Sequence, residues 1–153
     1  MTALKAMTTP GQQPYLHYWD TNPEAQSWPA GQIADLHFEV CEALRPAFAA
    51  VIADHVEYAA PVVMEGDYLT PDLVLALPGA VRAVVLVEPD EGTLVANFGA
   101  REPHLDAQRH RARVSLLVGA RLAAGAHALG APVVPARPWA DQVDRIDRAL
   151  ADS

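Results

Sequence analysis

The sequence predicts an α/β fold, a partial parallel sheet with flanking helices. Three observations carry that expectation. Short apolar runs rich in β-branched residues occur at Pro61-Val62-Val63-Met64, at Val81-Arg82-Ala83-Val84-Val85-Leu86-Val87 and, more weakly, at Pro132-Val133-Val134-Pro135. Runs of this length, bounded by proline or by acidic turns, read as buried strands of a parallel sheet. Helical patterns separate them, which implies right-handed crossovers between parallel strands.

The elements follow in order. Residues 1–32 hold Pro10, Pro14, Pro23 and Pro29 and few periodic apolar positions, so they form a proline-rich irregular segment. Within it His17-Tyr18-Trp19-Asp20 is either a loop whose Trp19 and Trp28 dock on the core or a loop over a ligand pocket. Residues 33–153 form the α/β domain. Ile33, Leu36, Val40 and Leu44 recur at spacings of three and four and predict a helix that Pro46 breaks or kinks, with Phe48, Val51, Ile52, His55 and Val56 on a second stretch. His37 and Cys41, four residues apart, share a face, and core packing accounts for both better than a metal does. A short helical segment spans Pro71 to Leu77 and is closed by Pro78-Gly79. Asp90 caps a helix running to about Ala100. A longer helix runs from about Leu105 to Leu129 and ends at Gly130. Pro138 or Trp139 starts the last helix, with Val143, Ile146 and Leu150 on its inner face.

Composition excludes several classes of function. At 153 residues the chain is one domain or a piece of a larger one. Eleven Lys plus Arg against 19 Asp plus Glu give a net charge of −8, a repulsive average field for nucleic-acid backbones. No run of about 20 apolar residues predicts a membrane span, and Met1 to Gln13 lack the pattern of a secretory signal. The single cysteine, Cys41, makes neither an internal disulfide nor a cysteine-rich metal site. A reduced, cytoplasmic protein is the expectation. The six histidines show no His-x-x-x-His pair backed by a third ligand, so a metal hydrolase is set aside.

Ligands of open parallel sheets bind at the carboxyl ends of the strands. The first predicted strand delivers Glu65-Gly66-Asp67-Tyr68, the second Glu88-Pro89-Asp90-Glu91 and the third Ala136-Arg137-Pro138-Trp139. Carboxylates flanking a glycine suit a magnesium water shell or a substrate hydroxyl, and helix capping is the competing account. Residues 101–121 hold five arginines against Glu102 and Asp106, a local balance of +3 that leaves −11 on the rest of the chain. Arg109 and Arg113 stand one helical turn apart and Arg101 can join them. Such guanidinium forks match phosphate oxygens, although a solvated helix face paired with carboxylates has the same composition.

The string Val62-Val63-Met64-Glu65-Gly66-Asp67-Tyr68-Leu69-Thr70-Pro71 resembles the strand and loop of P-loop small-molecule kinases, notably 2-phosphoglycerate-kinase-like proteins. Val84-Val85-Leu86-Val87 with Asp90-Glu91 resembles the next strand and helix. Arg101-Glu102-Pro103 with the Arg109 to Arg113 cluster is similar to the arginine-bearing lid, and Ala131 to Val134 with Arg137-Pro138-Trp139 to the last strand and its base-side loop. The likeness covers about residues 15–150. It implies a three-layer kinase-like architecture and an ATP-dependent phosphotransferase. Glu65 would organise Mg²⁺, Asp67 would meet the accepting hydroxyl of a small-molecule phosphate acceptor, Arg101, Arg109 and Arg113 would close over the phosphates, and Arg137 with Trp139 would border the base.

The family's Gly-x-x-x-x-Gly-Lys-Ser/Thr loop is missing, since the sole lysine, Lys5, follows no strand and no glycine turn. The chain therefore resembles the carboxyl-terminal part of such a kinase, truncated before its first strand and without tight ATP or Mg²⁺ binding of its own. The alternative is a non-catalytic binding or assembly protein derived from that fold. A sheet without its central strand would expose an edge for self-association or for a partner chain.

Overall fold

The structure, a computed structural model, describes residues 2–76, 79, 81–104 and 107–151 and divides the chain into two units, residues 1–69 and 70–153. The first unit contains α1 (Thr2–Ala6), α2 (Tyr18–Thr21), a 3-10 turn over Pro23–Ser27 and the long helix α3 (Ala30–Glu57). The segment expected to be irregular thus carries short helical turns. They form because its few apolar side chains have somewhere to go: Leu16 packs with Val40 and Leu44, and half-buried Leu4, Phe48 and Tyr68 close around them. Tyr18 meets Trp19 and Trp28 edge-on, with ring centroids 6.2 and 5.9 Å apart. The two tryptophans thus meet Tyr18 within the segment itself.

α3 corrects the sequence reading at Pro46, which lies inside one continuous helix. Proline removes one ladder hydrogen bond and crowds the preceding turn. The apolar stripe nevertheless continues in register from Leu44 through Phe48 to Ile52, and packing of Leu44 and Ile52, both buried, outweighs that local cost. Cys41 is in the core as expected, whereas His37 is only half buried.

A second correction concerns Pro61-Val62-Val63-Met64. It forms no strand, and Val63 is 94 % exposed. β-branched residues favour an extended backbone, but a strand also needs a neighbour to pair with. Among the described residues this segment has none.

The second unit opens with a 3-10 helix over Pro71–Ala76; Leu77 and Pro78 lie outside the described residues. It continues with β1 (Val85–Val87), α4 (Glu91–Arg101), α5 (Gln108–Ala128), β2 (Val133–Pro135), a 3-10 turn over Trp139–Asp141 and α6 (Gln142–Ala151). Leu105, where the long helix was expected to begin, and Asp106, one of the two acids in the 101–121 charge balance, also lie outside the described residues. β1 and β2 pair in parallel, Val85 opposite Val133 and Val87 opposite Pro135. The run from Val81 was expected to be a strand throughout, but only its last three residues pair. Its partner is short because Pro132 and Pro135, lacking N–H groups, bracket the stretch that can donate to a ladder. α5 packs on both strands and on α4, burying Ala112, Val118 and Ala126. Gly130 ends this helix region at φ +71°, a conformation glycine adopts without a Cβ penalty.

Candidate functional site

Parallel pairing brings the carboxyl ends of β1 and β2 to the same edge, and a cleft of about 440 Å³ opens there. Its polar wall is built by Glu88 after β1, Arg137 after β2 and Asn97 on α4. Arg137 Nε donates to Glu88 Oε2 at 3.2 Å, and its Nη2 donates to Asn97 Oδ1 at 2.7 Å. The same guanidinium lies 5.1 Å from the centroid of the Trp139 ring, a cation–π arrangement. Leu94, Phe98 and Arg101 complete the α4 side. Glu88 is mostly enclosed, its side chain 16 % exposed, while Trp139, also on the cleft lining, is 59 % exposed. The Arg137–Pro138 peptide is cis.

Local chemistry fixes this wall. Glu88 Oε1 accepts the Asp90 N–H, and Asp90 Oδ1 accepts the Thr93 N–H at 2.7 Å, which caps α4 as expected. The bonds from Thr93 hold the Asp90 carboxyl below its ordinary value. α4 then presents Leu94, Asn97, Phe98 and Arg101 at positions i, i+3, i+4 and i+7, one face of a helix. The sequence reading missed Asn97 and Phe98, and this spacing was the signal that could have found them.

The arginines fall into two groups. Arg101 stands at the cleft, with its Nε 3.5 Å from Glu102 Oε1 and its guanidinium 5.4 Å from the Phe98 ring centroid. Arg111 pairs with Glu102 and lies 4.6 Å from the same ring. The hydrogen bond from Arg111, first among several causes, holds the Glu102 carboxyl below its usual range. Arg109 and Arg113 share Glu91 instead, at 3.9 and 3.5 Å. Glu91 and Arg101 are the first and last residues of α4, about 15 Å apart along its axis. The expected trio is therefore a pair at one end of α4 and a single arginine at the other.

In the first unit Glu65 and Asp67 are both exposed, on either side of Gly66 at φ +154°. They follow an unpaired segment rather than a buried strand. Asp67 is nonetheless fixed at its backbone, because its carbonyl accepts from His37 Nε2 at 2.8 Å. The His37 ring stacks on Tyr68 with centroids 4.6 Å apart. Burial, then the Asp67 charge and then Cys41 raise the Tyr68 pKa. His37 and Tyr68 had been read only as core or motif residues, and their 31-residue separation carries no local pattern that would pair them. Among the described residues no group of three or more His, Cys, Asp or Glu side chains gathers as a metal cage. One or two carboxylates with retained waters is the donor set magnesium accepts, so Glu65 and Asp67 remain chemically suited to it. No helix among the described residues is long and apolar enough to cross a membrane.

Comparison with known proteins adds no relative: no protein family, curated protein or solved structure matches the chain.

Proposed function

We propose that the chain carries the base-side and arginine-bearing parts of an ATP-dependent small-molecule phosphotransferase of the P-loop kind, with the phosphate-cradling glycine loop lying outside these 153 residues. The observation that supports this most is the cleft at the ends of β1 and β2. A largely exposed indole, two guanidiniums and an amide line it together, at the edge where parallel sheets bind nucleotides. Trp139 and Arg137 border the base, and Arg101 reaches toward the phosphates from α4. Arg109 and Arg113 neutralise phosphate charge that grows as the γ-phosphoryl group transfers. By the resemblance, Asp67 would meet the accepting hydroxyl and Glu65 would hold waters of a Mg²⁺ shell; both belong to the first unit, and the reading of the cleft does not depend on them. Magnesium, when bound, would offset the phosphate charge.

The test begins with the reading frame upstream of Met1. An in-frame stretch encoding a strand followed by Gly-x-x-x-x-Gly-Lys-Ser/Thr is the expected finding, and a stop codon close upstream goes against it. A chain extended by that stretch should transfer phosphate from Mg-ATP to a small hydroxyl acceptor. Arg109→Ala combined with Arg113→Ala should lower its turnover by roughly 100-fold, a few kcal/mol of transition-state stabilisation. Unchanged turnover would return both residues to the solvated-face reading.

One observation favours a second reading, a non-catalytic assembly protein. Among the described residues β1 pairs only with β2, and Leu86 in its middle is 43 % exposed. A parallel pair open on one side is a template for another strand. Self-association in solution without any phosphotransfer by the extended chain would select this reading.

A further inference from the structure

Arg109 and Arg113 converge on one carboxylate without closing a hydrogen bond on it. Glu91 Oε1 lies 3.5 Å from Arg113 Nε and 3.9 Å from Arg109 Nη1. Charge-assisted N–H···O bonds run at about 2.7–2.9 Å. That same oxygen is buried and has no hydrogen-bond partner among the described residues. The arginine side chains are 76 % and 60 % exposed, against 34 % for Glu91. Two largely exposed guanidiniums are thus held near one negative charge. The carboxylate they share is itself poorly satisfied, and exposed pairs of this kind hold together weakly.

We propose that Glu91 is an internal placeholder anion for the Arg109–Arg113 pair, displaced when a polyphosphate chain binds. The inference rests on the reading of these arginines as phosphate contacts. Side chains one helical turn apart have Cβ atoms about 5–6 Å from each other, a spacing that lets each guanidinium take a different phosphoryl group of one chain. Glu91 offers the pair a single charge through one buried oxygen. A polyphosphate offers several charges and enough oxygens to close the missing hydrogen bonds. Singly charged anions offer no more than Glu91 already does, so the carboxylate filters them out while conceding its place to a multiply charged ligand. It also keeps the two cations from repelling each other when no ligand is present.

The 153-residue chain can be titrated by calorimetry with sodium tripolyphosphate at low ionic strength. Glu91→Gln should bind at least roughly fivefold more tightly than the wild type, the effect of one unit charge near 4 Å in a water-like medium. Arg109→Ala with Arg113→Ala, added to Glu91→Gln, should erase the gain. Asp144→Asn, which removes one charge from α6, sets the size of the general charge effect, and an equal gain there would overturn the proposal. Equal binding by the wild type and Glu91→Gln, lost when both arginines are removed, would overturn the placeholder role and leave the phosphate-contact reading standing. Absence of arginine-dependent binding in every variant would overturn both. Glutamine preserves the shape of Glu91 and leaves the Asp90 cap in place, and matching thermal melts of the variants would show that α4 is intact.

Discussion

Asp90 links one charge to the start of α4, and the direction of its pKa shift fixes how that link responds to pH. The Thr93 bonds lower the folded-state pKa below the unfolded value of 3.8. Its stabilising contribution is therefore complete above that value and is lost as the pH falls through the lower folded one. Asp90→Asn should keep the cap and lose this pH dependence, while Asp90→Ala should lower Tm at pH 7 and differ less from the wild type near pH 3. Equal melting of the wild type and Asp90→Ala at pH 7 would show that the cap contributes nothing. Asp67 offers the sharper functional contrast. Its contact with His37 is made by the backbone carbonyl, so Asp67→Asn removes the charge and leaves that contact. In the extended, active chain we expect turnover to fall roughly tenfold or more, about 1.4 kcal/mol of barrier. Loss of Tm with turnover per folded molecule intact would make Asp67 structural. Tyr68 reports on the same charge, because Asp67 is one cause of its raised pKa. Of these residues, Asp90 was legible from its place before an amphipathic stretch. The His37–Tyr68 stack was not, because it joins positions that only the folded chain brings together.

At the scale of elements, α3 shows packing overruling a local breaker. Pro46 sits in an exposed position within a helix of 28 residues. Pro46→Ala should restore the missing ladder bond and raise stability by about 1–3 kcal/mol. Urea unfolding measures this directly, and an unchanged or lower midpoint would mean that the proline causes no loss at that turn. The same competition explains which elements could be read in advance. β2, α4 and α5 carry their own limits, in the paired prolines around Val133, in Asp90 and in Gly130, and each appears where those residues place it. Pro61-Val62-Val63-Met64 has the composition of a strand but lacks a partner, and pairing is a property of two segments that no single one encodes. The candidate site divides along the same line. Arg137 and Trp139 were legible as the end of a strand, whereas the hydrogen bonds joining Arg137 to Glu88 and Asn97 span 49 and 40 residues.

For the molecule as a whole the question is how much of a nucleotide these groups can hold unaided. The net charge of −8 opposes any polyanion at long range, and only the 101–121 region runs against it. P-loops hold phosphates mainly with consecutive backbone N–H groups and a lysine, and the sequence contains no Gly-x-x-x-x-Gly-Lys-Ser/Thr to supply them. What remains is Arg109 and Arg113, largely exposed, with Arg101 and the exposed Trp139 side chain at the far end of α4. Exposed ionic contacts contribute about 0–1 kcal/mol each, and the cation–π and stacking groups of the cleft about 1–3 kcal/mol. Their sum reaches the neighbourhood of −4.1 kcal/mol, which corresponds to a Kd of about 1 mM, and falls well short of the −8.2 kcal/mol that a Kd of about 1 μM requires. Ordering a flexible triphosphate on two long side chains draws that sum down further. Calorimetric titration of the 153-residue chain with Mg-ATP should therefore give no saturable heat up to about a millimolar of nucleotide. Micromolar binding would require about twice the free energy these contacts supply. It would then have to come from a phosphate cradle built by groups other than Arg101, Arg109, Arg113, Arg137 and Trp139, and the division of labour proposed for this chain would be wrong.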